Sequence, residues 1–417
     1  MKYTLYAGQQ DTMEKYKATK GENTVAAFLG NINKMINRRK FTCPFCFSEY
    51  DKERIKYVCP DCGETSVPTS SSEKGRPSIK CKNCGRMATV RLCPECGEYD
   101  KNMPEEAKGV VPAGVLDADG SLPFCIIGVS SSGKTNFITV MLHELSRVPE
   151  LRIALSSQNK YTRDVQRENY TNIYEHHIPP RPTDPTELGE RLRPQLWQIK
   201  NLMRQKSNST PTYTFTIYDG AGEDHSERLD PSSAICGYIN ASNAIIITLD
   251  PLILTNLRKM INPEIRRNSG ASEGDTNSAE DIVNSVAAYI KVARGISTNK
   301  MLTIPVAVVL TKFDTILQLD SLPAGAVVRK PSMTFSNGKV NMTEIMQVNE
   351  EIRDWLYDIG EGSFIAALES NFKKFYFFGV SSYGEPPKTQ GSVNENINPH
   401  RILDPVLWLF KEERFVD

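Results

Sequence analysis

The sequence predicts an α/β fold, a doubly wound and mostly parallel sheet, preceded by a small cysteine-rich module. Three observations predict it. From Leu122 onward, short apolar runs alternate with helical patterns. The first of those runs opens into a glycine-rich turn, Gly128-Val-Ser-Ser-Ser-Gly133-Lys134-Thr135. Upstream, eight of the ten cysteines fall in C-x-x-C pairs between Cys43 and Cys96.

At 417 residues the chain exceeds one ordinary core, so two or three domains are expected. Fifty basic residues balance fifty acidic ones, which makes no case for capture of nucleic acid or anionic lipid by net charge. No stretch approaches the ~18 to 20 apolar residues of a membrane span. The N-terminus, MKYTLYAGQQDTMEKYK, lacks the apolar core of a signal peptide. A cytoplasmic location is the expectation, and its reducing conditions keep thiols free for metal.

Residues 1–40 contain one helical pattern, with Val25, Phe28, Leu29, Ile32, Met35 and Ile36 at three- and four-residue spacing. It reads as a helix packed on its own protein, with a membrane surface or a partner as the alternative. Residues 41–98 hold the cysteines, divided by the Ser/Pro tract 67–78. Breakers Pro104, Gly109, Pro112, Gly114 and Gly120 mark 99–120 as a linker. In 121–417, strands are predicted at 124–129, 212–220, 243–250, 304–314 and 375–382. Helices are predicted at 279–293, 344–359 and near 404–412, and a loop at 262–278.

The turn at Gly128 matches G-x-x-x-x-G-K-[ST], after a strand and at a helix start as the chemistry requires. Gly128, Ser130, Ser131, Ser132 and Gly133 let backbone N–H groups wrap around phosphates. Lys134 reaches the β- and γ-phosphates, and the Thr135 hydroxyl ligates Mg²⁺. Asp219-Gly-Ala-Gly222 closes a later strand. There Asp219 can hold Mg²⁺ through water, and the Gly222 N–H can approach a γ-phosphate.

Thr311-Lys312-Phe313-Asp314 matches [NT]-K-x-D at another strand end. An ionised Asp314 accepts only, and guanine offers it two donors where adenine offers none. Lys312 can lie along base and ribose, and the Thr311 hydroxyl must do the orienting that Asn commonly does. Val380-Ser381-Ser382 stands where guanine sites place a Ser-Ala pair whose backbone contacts the base. Ser382 departs from that Ala.

Together these residues resemble the translation-factor-like and Ras-like class of P-loop GTPases, over about 121 to 415. More narrowly, Asp-Gly-Ala-Gly-Glu and DPVLWLF look like a bacterial double-GTPase subgroup associated with conflict or defence systems. The resemblance implies GTP/GDP and Mg²⁺ as ligands and GTP hydrolysis as the activity. Two departures bear on it. Glu223 stands where Ras-like proteins place a water-orienting Gln, which implies slow unaided turnover. The first-switch Mg²⁺ ligand is not marked by a motif; Thr183 is preferred over Thr186, against a Pro-rich loop with no ligand.

The cysteine pairs read as two consecutive units, Cys43/Cys46/Cys59/Cys62 and Cys81/Cys84/Cys93/Cys96, resembling tandem zinc ribbons. Four thiolates with no open position suit a structural Zn²⁺, so two Zn²⁺ are expected. Gly63, Gly85 and Gly97 follow the second cysteine in three of the four pairs. Cys125 and Cys236 read as core residues. Residues 1–120 carry 19 basic and 16 acidic side chains, an excess that two Zn–Cys₄ centres would cancel. Docking of protein partners therefore outranks nucleic acid. The leading expectation is a GTP-dependent switch. A nucleotide-binding adaptor with little turnover and a nucleic-acid-associated ATPase are the alternatives.

Overall fold

The computed structural model describes residues 40–70, 73, 76–99, 109–128, 131–181, 194–206, 209–219, 234–269 and 278–417, with backbone alone for Lys40, Asp219 and 234–236. The N-terminal helix expected near residue 30, and Ser130, Thr183, Thr186, Gly222 and Glu223, lie outside them.

The cysteine module is a set of short hairpins. Its strands are β1 (Lys40–Thr42), β2 (Glu49–Asp51), β3 (Lys56–Val58), β4 (Thr65–Ser66), β5 (Ile79–Lys80), β6 (Met87–Ala88) and β7 (Val90–Leu92). β3 pairs antiparallel with β7, Lys56 opposite Leu92 and Val58 opposite Val90. Cys59 and Cys93 each follow directly on one of these strands, so they sit at opposite ends of the ladder. The cysteines consequently gather as Cys43, Cys46, Cys93 and Cys96 at one end and Cys59, Cys62, Cys81 and Cys84 at the other. The two sets are nested, which corrects the tandem pairing expected from spacing. Cys62 and Cys81, which flank the 67–78 tract in sequence, belong to one set, so the tract does not separate two ribbons.

Part of the expected 99–120 linker also belongs to this module. The Cys93 N–H donates to the Gly109 carbonyl and the Val111 N–H to the Arg91 carbonyl, both at 2.8 Å. Val111, Val115 and Leu116, the last two in α1 (Ala113–Leu116), are buried with Tyr57 and Cys59.

The remaining chain forms the predicted sheet. In order come β8 (Gly120–Ile127), α2 (Lys134–Arg147), β9 (Ile153–Ser157), α3 (Lys160–Tyr174), β10 (Gln195–Asn201), β11 (Thr212–Asp219), α4 (Ala234–Ala241), β12 (Ala244–Leu249), α5 (Thr255–Met260), α6 (Pro263–Asn268) and α7 (Ala279–Ala293). β13 (Val306–Leu310), a small hairpin of β14 (Phe335–Ser336) and β15 (Lys339–Val340), α8 (Met342–Asp358), α9 (Gly362–Asn371), β16 (Phe375–Gly379) and α10 (Asp404–Glu412) follow. The seven strands lie in the order β16-β13-β12-β8-β11-β10-β9. β10 alone runs antiparallel to its neighbours.

Strands buried on both faces read as unbroken apolar runs, and β12 and β13 are buried throughout. Ile245 and Ile247 pack on one face with α7 residues Val283 and Ile290; Ile246 and Val309 pack on the other with Phe137 of α2 and Trp408 of α10. From β8 the chain goes to β9 at one edge and returns through β10 to β11, then crosses β8 to β12 on its other side; ligands of doubly wound sheets bind outside such a switch point. One expected loop is partly helical. Asn262 caps α6 by accepting from the Glu264 N–H, and Pro263 occupies the first turn, where proline is tolerated.

Candidate nucleotide site and metal centres

Every predicted phosphate or base motif with described residues lies at the C-terminal edge of the sheet. β8 delivers the glycine-rich turn. A Cβ on Gly128 would lie 2.2 Å from the Thr248 hydroxyl and 2.5 Å from that of Ser132, so no larger residue fits. Lys134 opens α2 and is buried, its Nζ donating to the Gly128 carbonyl at 2.9 Å. The bond spans the turn and holds the ammonium over it. Gly133, Lys134 and Thr135, at the start of α2, line the same opening, and a helix N-terminus favours anions. The Ser132 and Thr248 hydroxyls lie 3.0 Å apart, and Thr248 donates onward to the Ile127 carbonyl at 3.2 Å. Thr248 escaped the sequence reading because it sits inside an apolar strand run.

β13 delivers the base motif. The Thr311 hydroxyl lies within hydrogen-bond distance of two carbonyls, Ser132 at 2.7 Å and Leu249 at 3.0 Å. Lys312 adopts φ +49°, turning the chain into a 3-10 helix at Phe313–Thr315 that contains Asp314. The Lys312 ammonium pairs with Asp250 at 2.5 Å and donates to the Ser269 carbonyl at 3.0 Å. Asp250 is therefore a second residue missed in sequence; the only signal was an acid at the end of an apolar strand.

Asp314 is 6% exposed. Burial raises its pKa above the usual carboxylate range, and a hydrogen bond from the Ser381 side chain draws it partly back. Two donors from a bound base would complete that compensation. The Ser381 oxygen also accepts from the N–H groups of Gly384 at 2.8 Å and Tyr383 at 3.3 Å. Ser381 and His400 exchange both backbone hydrogen bonds, at 3.0 and 2.9 Å.

Ser131, Ser132, Gly133, Lys134 and Thr135 share one cavity of about 400 Å³ with Thr311, Lys312, Asp314, Ser381 and Ser382. That volume lies within the range of small-ligand sites. Tyr383 and Arg181 line it as well, and neither was singled out in sequence. The Tyr383 hydroxyl donates to Asn136 Oδ1 at 2.8 Å, tying the loop after β16 to α2.

The two cysteine sets have the dimensions of tetrahedral metal centres. Sulfur separations are 3.8 Å for Cys43–Cys96, 3.6 Å for Cys46–Cys93, 3.5 Å for Cys59–Cys84 and 3.6 Å for Cys62–Cys81. A tetrahedron with Zn–S bonds of about 2.3 Å places its sulfurs about 3.8 Å apart. Both sets contain thiols alone and leave no open position. In the outer set Cys43, Cys93 and Cys96 are buried, whereas Cys62 and Cys84 of the inner set are exposed.

No family model and no curated protein matches the chain. Among solved structures it is similar to the S. cerevisiae Ski7 GTPase-like domain bound to GTP, at 12% identity over 70% of this chain and 50% of that one, with TM-score 0.31. The same domain bound to GDP and inorganic phosphate gives 12% identity over the same shares and TM-score 0.30. A sup35 structure complexed with GDP gives 12% identity over 64% of this chain and 39% of that one, with TM-score 0.23. The chain spans half or less of the length of these structures. Likenesses at these scores carry no weight beside the residues of the site. Among the described residues no helix is long and apolar enough to cross a membrane.

Proposed function

We propose that this chain binds guanine nucleotide with Mg²⁺ in the cavity at the sheet's C-terminal edge, and hydrolyses GTP as a molecular switch. One observation carries the reading: the buried Asp314 carboxyl shares a single cavity with Lys134 and Thr135 of the glycine-rich turn. A phosphate cradle alone accepts any nucleotide. A desolvated carboxylate beside it favours a base with paired donors, and that base is guanine.

In this reading Lys134 and the α2 N-terminus hold the β- and γ-phosphates, and Thr135, Asp219 and Thr183 provide the Mg²⁺ shell. The Gly222 N–H senses the γ-phosphate, and Glu223 orients the attacking water. A carboxylate there can accept from water but repels the phosphoryl group, so turnover is slow until a partner adds positive charge. Arginines supplied in that way raise rates about 10³- to 10⁵-fold.

Both cysteine sets hold structural Zn²⁺, and the module docks a protein partner. The narrower form of this reading, service in a bacterial conflict or defence complex in the cytoplasm, rests on the Asp219–Glu223 and Asp404–Phe410 resemblance. Single-turnover GTP hydrolysis by wild type, Glu223→Gln and Glu223→Ala tests the catalytic part. Ten-fold or greater slowing in the Ala form is expected; equal rates in all three would remove Glu223 from the mechanism.

A further inference from the structure

The Cys43–Cys46 knuckle of the outer set breaks a pattern that both inner knuckles keep. After their second cysteines, Gly63 and Gly85 turn the chain at φ +76° and +75°. Glycine occupies that region freely, while a Cβ there crowds the following carbonyl. The outer knuckle makes the same turn with Phe47, at φ +63°. The hydrogen bonds match: Phe47 N–H to the Cys43 carbonyl at 2.9 Å, Gly63 to Cys59 at 2.8 Å, and Gly85 to Cys81 at 3.0 Å. Metal binding by the knuckle does not call for a phenylalanine, so the strain needs another reason.

The ring contacts supply it. Phe47 packs on Tyr218, with ring centroids 5.7 Å apart. It also covers Gly237 of α4 so closely that a Cβ there would meet the ring at 2.6 Å. The buried Tyr218 hydroxyl donates to the Pro44 carbonyl of the same knuckle at 3.0 Å, and the Tyr218 ring stacks on Tyr238 at 4.8 Å. Tyr218 immediately precedes Asp219, the last residue of β11. One knuckle of the metal module thus grips the strand end that carries Asp219 and the helix Ala234–Ala241.

We propose that Phe47 is a positioning residue that couples the outer metal centre to the Mg²⁺-dependent part of the nucleotide site. The proposal rests on the reading of that site given above. Coupling of this kind is reciprocal: metal at Cys43, Cys46, Cys93 and Cys96 steadies Asp219, and bound Mg²⁺–nucleotide slows release of that metal.

Phe47→Gly tests it, because glycine suits the backbone of this turn and all eight thiols remain. The full chain would be measured for metal content, for amide exchange at 213–218 and 237–241 without nucleotide, and for GDP affinity with and without Mg²⁺. The variant should keep two metal ions, exchange faster in both segments, and lose about ten-fold in affinity with Mg²⁺ but less than two-fold without it. Gly237→Ala, which drives a methyl into the ring, should act in the same direction and add nothing in the Phe47→Gly background. Unchanged exchange, or equal affinity losses with and without Mg²⁺, would overturn the proposal. A wild-type chain that binds no guanine nucleotide would instead overturn the reading of the site, visible before any variant is made.

Discussion

The Thr311 side chain reaches across 179 residues of sequence to the Ser132 main chain, its hydroxyl 2.7 Å from that carbonyl. The residue that opens the base motif therefore braces the phosphate turn. Both residues are buried, so the bond is shielded from water. Thr311→Val keeps the shape and removes the donor. A buried carbonyl left without a partner costs about 1 to 3 kcal/mol. We expect GDP affinity to fall about five- to a hundred-fold, measured by fluorescent-nucleotide titration, with Thr311→Asn close to wild type.

Under the proposed function, Asp314 would set both the base and the pH range. Its carboxyl pKa is raised by burial, and guanine needs the anion. Guanine-nucleotide affinity should be full above that raised pKa and fall as pH drops through it, by about ten-fold per unit. Asp314→Asn should weaken GTP, favour xanthosine triphosphate, and bind it without this limb.

The loop after β16, which lines the cavity, runs into a buried charge cluster. Arg401 pairs with Glu344 at 2.6 Å and Asp404 at 2.8 Å, all three side chains being buried. Its neighbour His400 is the residue that pairs with Ser381. Arg401→Ala would leave two carboxylates buried and unpaired, a loss of about 3 to 5 kcal/mol. Denaturant unfolding should show it, and residues near Ser381 should lose exchange protection first.

Metal analysis should find two zinc ions per chain. The nested pairing predicts that Cys46→Ser and Cys96→Ser lose the same ion although fifty residues separate them in sequence. Cys59→Ser and Cys84→Ser should lose the other. If Cys46→Ser and Cys62→Ser instead emptied one shared site, the nested arrangement would be wrong.

The sheet was legible because its central strands are buried on both faces and so read as apolar runs; β12 and β13 fall within the expected segments. Strands β9 and β10 were missed. β9 is the edge, with Ala154 and Ser156 exposed, and β10 carries Gln195, Gln198 and Asn201, which break up its apolar pattern. In the candidate site the motif residues were visible because each motif fixes residue type and spacing together, and the structure brings them to one cavity. Asp250, Thr248 and Tyr383 were not, since each acts through a contact made only by folding. The metal pairing failed for the same reason. C-x-x-C spacing shows which cysteines form a knuckle, but the β3–β7 ladder decides which knuckles meet.

The most direct test of the account is base selectivity. Purified protein with Mg²⁺ would be loaded with fluorescent GDP and challenged with GTP, GDP, ATP and ADP. A site that rejects a base lacking its donors discriminates by about 10⁴-fold or more. The account predicts displacement by the guanine nucleotides alone, and loss of labelled GDP binding in Lys134→Ala. Equal competition by ATP and GTP would contradict it.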